Sequence, residues 1–232
     1  MKYGYLNSGQ IEAMVNKLGG EENFRQVLRG NLEIDYQKLA QYASPEGKVT
    51  WGNFIKCCFS KWEERDGVIY FSVTSNGKTG EEWIKYFEEK AYRISDYAKS
   101  MLRSKDFKPT SGVTTEVAVL KGMLFPDSDR VTKKIRTEAA SRKFLTPDAE
   151  LACLIRDKFT DEELEAMGLY WIVVMHEPIN DSDGVPGLLG SGRDVGGRWL
   201  RAYYDRPVSR WSSYSGFAFA ISQVVLDSPP AN

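Results

Sequence analysis

The fold class predicted for this chain is α+β: an N-terminal helical hairpin module followed by a mixed or antiparallel sheet with packed helices. Three observations predict it. Helical periodicity dominates residues 8–62, five apolar, β-branched or aromatic runs are spread over 68–225, and capping residues that open amphipathic helices stand between those runs. The 232 residues, 42% of them hydrophobic, suffice for a small helical module and a larger domain of roughly 150 residues with its own core.

Residues 8–18 place Ile11, Met14, Val15 and Leu18 at i, i+3, i+4 and i+7 behind Ser8 as N-cap, and Gly19-Gly20 ends that helix. A second helix over 21–29 buries Phe24, Val27 and Leu28, with Glu21 and Glu22 at the positive end of its dipole and Gly30 as its stop. Acids at the end that would meet DNA bases repel phosphate, so a docking or structural hairpin is expected rather than a DNA-reading one. Residues 31–36 form a short strand-like run, and Ser44-Pro45-Glu46-Gly47 marks a module boundary. Trp51, Phe54, Ile55, Cys58, Phe59 and Trp62 then make a wide apolar helical stripe. The division expected is a helical module over 1–45, a connecting helix over 46–66 and the α+β domain over 67–232.

In that domain the expected strands are 68–73, 114–120, 170–176, 199–204 and 217–225. Thr79 caps a helix over 80–92, with Trp83, Phe87 and Ala91 on one face and a Glu81–Lys85 ion pair. The next helix, 94–104, turns Ile94, Tyr97, Ala98, Met101 and Leu102 inward. A basic helix over 130–143 sets six Lys and Arg against Glu138 alone and reads as a solvated face. Thr146-Pro147 opens a helix that buries Leu151, Leu154 and Ile155, and a short helix over 161–167 ends at Gly168. The run YWIVVM, 170–175, is apolar enough to be buried on both faces and central in the sheet. In the last strand Phe217, Phe219 and Ile221 fall on one face, with Ala218 and Ala220 on the other. The helices are expected on one side of the sheet, and 179–215 is read as largely loop.

The chemistry concentrates in 168–225, which hold the only His, three of the six Trp, and five Arg without a Lys. The formal net charge of −1 argues against a protein that coats duplex DNA through many phosphate contacts. Cys57, Cys58 and Cys153 match neither a disulfide framework nor the paired cysteines of a zinc site, so buried reduced thiols are expected. No apolar run resembles a signal peptide or a membrane span, and a soluble, cytoplasmic protein is expected. Asn180 to Gly184 looks like a calcium loop, but the twelve-residue count puts Ile179 and Gly190 where oxygen ligands belong. The glycines of 184–197 fit neither a dinucleotide fingerprint nor a P-loop. No metal and no cofactor are expected.

The succession VIYFSV, ISDYAKSML, ELACLIRDKF and YWIVVMHEPINDSDG, with QIEAMVNKLGGEENFRQVLRG at the start, resembles a large family of bacterial proteins without an assigned activity. That resemblance implies no cofactor or site. GGRW at 196–199 followed by GFAF at 216–219 resembles the closing segments of C-type-lectin-like domains, including formylglycine-generating and retroelement-diversified ones.

The functional expectation is a non-catalytic binding module. Arg198, Arg201, Tyr204, Arg206, Arg210, Trp211 and Tyr214 are the contact residues expected, because Arg and aromatic side chains together are typical of recognition surfaces. A protein is the first partner expected, single-stranded nucleic acid the second, and a membrane is not expected. The rival expectation is a hydrolase-type enzyme using His176 with Asp181, Asp183 or Glu177. It requires His176 exposed in a pocket beside a carboxylate, whereas a buried His176 bonded to backbone favours binding or structure.

Overall fold

The protein is described from a computed structural model that covers residues 61–194 and 196–225, with Val15 and Arg25 as isolated helical positions and side chains through Ile221. The chain divides into two compact units, Met1–Lys61 and Trp62–Asn232. The expected hairpin module, the 31–36 run, Cys57, Cys58 and the connecting helix up to residue 60 lie outside the described residues.

Asp66 (φ 51°) and Gly67 (φ 73°) both take left-handed backbone, the two-residue hairpin geometry that Asp-Gly favours. The turn pairs β1 (Glu63–Arg65) with β2 (Val68–Asn76), so residues expected to finish the connecting helix form a strand instead. Helix α1 (Gly80–Glu89) opens with the reciprocal Thr79–Glu82 capping box and buries Trp83, Ile84 and Phe87. It stops before Ala91, which is left-handed and exposed where the chain swings into β3 (Arg93–Ile94). Glu81 pairs with Arg103, not with Lys85, which lies 3.9 Å from Glu89. Helix α2 (Asp96–Leu102), capped by Ser95, buries Ala98, Met101 and Leu102; Ile94 belongs to β3, and Tyr97 faces outward at 40% exposure.

After β4 (Ser111–Lys121) and a 3-10 turn come α3 (Thr132–Ser141), α4 (Leu151–Lys158) and α5 (Asp161–Ala166). Pro147 precedes α4 by more than a turn, and Leu154 is only half-buried while Cys153 is fully enclosed. The chain ends in β5 (Trp171–Val174), β6 (Ile179–Asn180), β7 (Pro186–Asp194), β8 (Gly197–Tyr204) and β9 (Ser215–Val225). The sheet order is β1-β2-β4-β9-β5-β7-β8-β3, with β6 beside β7. Only β5–β9 and β3–β8 are parallel, so the sheet is mixed and the fold is α+β.

Strand alternation divides the core. Ile69, Phe71, Val119, Ile172, Val174, Leu189 and Leu200 meet α1, α2, α4 and α5 on one face. Val68, Leu120, Val173, Leu188, Phe217 and Phe219 meet Ile135 and Ala139 of α3 on the other. Helices therefore cover both faces, which corrects the one-sided expectation. In β9 the register passes from Val117–Ala220 to Glu116–Ser222, leaving Ile221 as the extra residue of a bulge and 37% exposed.

The largest departure from expectation is β7, a nine-residue strand inside the stretch read as loop. A Cβ on Gly192 would stand 1.7 Å from Cε3 of Trp171, and one on Gly190 would stand 2.8 Å from Cε2 of Tyr203. These glycines are the places where two large rings cross the strand, and they are not signs of a turn. Gly192→Ala is expected to cost about 1–3 kcal/mol by overpacking, read from urea unfolding. The cost should shrink when Trp171→Ala removes the ring, and an unfolding midpoint equal to wild type would refute this packing.

Candidate functional site

His176 follows β5 where the chain leaves the sheet. β5 pairs with Gly190–Gly192 of β7, and β6 pairs with Pro186 and Gly187, so Leu189 lies between the two ladders. The imidazole fills that gap: Nε2 accepts the Leu189 N–H at 2.8 Å, and Nδ1 lies 2.6 Å from the Glu177 carbonyl, to which it donates. Both ring nitrogens are thus engaged by backbone. At 1% exposure the ring is held neutral, its pKa pushed down to about 4, first by burial and then by the charge of Arg136, against the Glu177 hydrogen bond. Arg136, from α3, braces the same corner by donating to the carbonyls of Met175 and His176 and to Asp205.

No hydrogen bond among the described residues joins His176 to Asp181 or Asp183. Asp181 Oδ1 accepts from the N–H groups of Asp183 and Val185 and so builds the turn into β7. Asp183 accepts from the Tyr97 hydroxyl at 2.9 Å. Among the described residues no group of three or more His, Cys, Asp or Glu is arranged to hold a metal ion.

The seven expected contact residues do not form a single strip, because β8 alternates. Arg198 and Tyr204 share a face with Leu200, which belongs to the core under α1, α2, α4 and α5. There Arg198 donates to the Tyr92 hydroxyl and lies 3.8 Å from Asp161, beside the fully buried Arg156, which donates to the carbonyls of Gly192 and Phe159. Trp199, Arg201 and Tyr203 point to the opposite face. Trp211 is half-buried, donates to Thr132 Oγ1 and packs between Tyr203 and Phe217, so it is chiefly a core residue. Arg206 and Arg210 are exposed on the β8–β9 connection, Arg206 lies 5.2 Å from the Tyr204 ring centroid, and Tyr214 is 57% exposed against Tyr170.

What the fold does bring together is an array around Arg201. Its guanidinium lies 4.1 Å from the Trp199 ring centroid and 4.8 Å from that of Trp171. Asp194 holds it at 2.5 Å and also accepts from Trp199 Nε1 and the Gly196 N–H. Desolvation raises the Asp194 pKa, but those two hydrogen bonds, followed by the charges of Arg201 and Arg93, leave it below the ordinary value. Arg93 adds a second cation 5.4 Å from Trp199, and Tyr203 continues the row to Trp211. Trp171, Asp194 and Arg93 were not among the residues expected at the site, whereas Trp199 belongs to the Arg and aromatic mixture of 193–214 that the sequence singles out. The alternation of Trp199 and Arg201 was visible in the chain, but their partners come from three other strands.

No family model, curated protein or solved structure matches the chain. The two segments similar to lectin-like closing strands fall on β8 and β9, which β7 and β5 separate. No helix among the described residues is long and apolar enough to cross a membrane.

Burial of a neutral His176 has a pH consequence. The unfolded chain takes up a proton near pH 6.5 and the folded protein only near 4, so this stability is fully present above 6.5 and is lost as pH falls towards 4. The shift corresponds to about 3 kcal/mol. The difference in unfolding free energy between wild type and His176→Gln should change by about that amount across this window, measured by urea denaturation at several pH values. A pH-independent difference would show that the ring is not held neutral.

Proposed function

We propose that the protein is a non-catalytic binding module that recognises a protein partner through the sheet face around Arg201 and the adjoining β8–β9 connection. The observation that carries this reading is the Arg201 guanidinium stacked against two indoles and oriented by Asp194 on a part-exposed sheet face. Rigid aromatic anchors and a pre-oriented guanidinium bind at low entropic cost and suit a carboxylate-bearing surface. Single-stranded nucleic acid is the second reading, since aromatic rows on sheets serve as stacking platforms. It is less favoured because Trp199 and Trp171 already have cations placed over their rings, leaving less ring surface for bases. The hydrolase reading lacks its central contact, since both nitrogens of His176 are engaged by backbone.

The test is capture from native lysate at two salt concentrations, with and without nuclease, comparing wild type with Arg201→Ala/Trp199→Ala. Capture should resist nuclease and fall roughly tenfold or more in the variant, as when hot-spot side chains are removed. Nuclease-sensitive capture would instead favour single-stranded nucleic acid. Capture unaffected by the substitutions would remove this face as the working surface.

A further inference from the structure

Beside the Arg201 array, on the other face of β8, a cavity of about 220 Å³ opens between α2, the turn before β7, and β8. Tyr97, Asp181, Gly187, Ala202, Tyr203 and Tyr204 line it. Three features decide its chemistry. Tyr97 and Tyr204, at 40% and 49% exposure, offer ring surface to an incoming group. The only charged residue in the lining is the acid Asp181, whose Oδ1 serves the turn while Oδ2 has no hydrogen bond among the described residues. Gly187 and Ala202 keep the floor low; a Cβ on Gly187 would meet Met101 Sδ at 3.2 Å.

Tyr97 is tuned for a cation. Its hydroxyl donates to Asp183 at 2.9 Å, which raises its pKa and sets a second carboxylate at the hydroxyl end of the ring. A phenol donating to a carboxylate has a more electron-rich ring, and electron-rich rings attract cations more strongly. Arg206 lies 5.2 Å from the Tyr204 ring centroid and does not line the cavity. The volume lies below the roughly 300–1,000 Å³ of a site for a whole small molecule, which suits one head group or the tip of a side chain.

We propose that this cavity is an aromatic cage for an alkylammonium group, and that its occupant is a lysine side chain, free or methylated, of the protein partner. The identity of the occupant rests on the binding reading above, while the cage itself does not. The Arg201 array then takes carboxylates on one face of β8 as the cage takes a cation on the other, so the partner presents both charges.

The cage is tested without any partner, by NMR titration of the Tyr97 and Tyr204 ring signals with choline and with dimethylbutanol, its neutral carbon isostere. Choline should saturate these signals and the alcohol should not. Tyr204→Ala, which removes an exposed ring, and Asp181→Asn, which keeps the turn acceptor but loses the charge, should each weaken choline binding about tenfold. Near-UV circular dichroism checks that both variants remain folded. Equal binding of choline and alcohol, or binding of neither, overturns the cage and leaves the Arg201 surface to its own capture test. An acetylated Gly-Lys-Gly amide should displace choline, and its failure to do so in the wild-type protein overturns the assignment of the occupant.

Discussion

Gly192 carries no side chain because the indole of Trp171 occupies the space that one would need, and much of the site depends on that close approach. With the indole lying across β7, its outer surface is presented beside Arg201, and Trp199 approaches the same guanidinium from the next strand. Gly190 does for Tyr203 what Gly192 does for Trp171. At Gly190 and Gly192 the strand offers no side chain on this face, and there it supports a row of rings contributed by its neighbours. Overpacking limits substitution there as firmly as a catalytic requirement would.

β7 is also where the buried polar groups converge. His176 accepts from Leu189, Arg156 donates to Gly192, and Ser191 donates from its hydroxyl to Ala152 of α4. Each substitutes for a ladder bond or ties a helix to the strand. An unpaired backbone group at these depths would cost about 1–3 kcal/mol, roughly twice a normal hydrogen bond's net contribution. Arg156 is fully buried, and its charge is balanced by Asp161 at 3.2 Å and by carbonyl acceptors. His176, the side chain that looks most reactive in composition, is therefore spent on holding the sheet.

The two faces of β8 carry different chemistry for the same reason. Trp199 and Arg201 share one side, while Ala202 and Tyr204 line the cavity beneath the Asp181 turn on or next to the other. A short edge partner, β3, covers only Trp199 and Leu200, so beyond them the strand lies at the margin of the sheet among the described residues. Recognition residues on a rigid strand hold their geometry before binding, which lowers the entropic cost of a complex.

The sequence by itself determined the α+β class, the strands built on apolar runs, the Thr79 cap of α1, and the central place of β5, since each depends on contacts within a few residues or on a period of 2 or 3.6. It also marked 193–214 as unusual in Arg and aromatic residues. Only the tertiary structure decided that the glycine-rich stretch is a strand, that Trp211 turns inward, that α3 covers the second face, and that His176 completes a ladder. Composition treats Gly190 and Gly192 as breakers, and nothing local announces rings that arrive from Trp171 nineteen or more residues earlier in the chain and from Tyr203 on the next strand. Likewise the partners of Arg201 are assigned by strand register, which a chain read in one dimension does not contain.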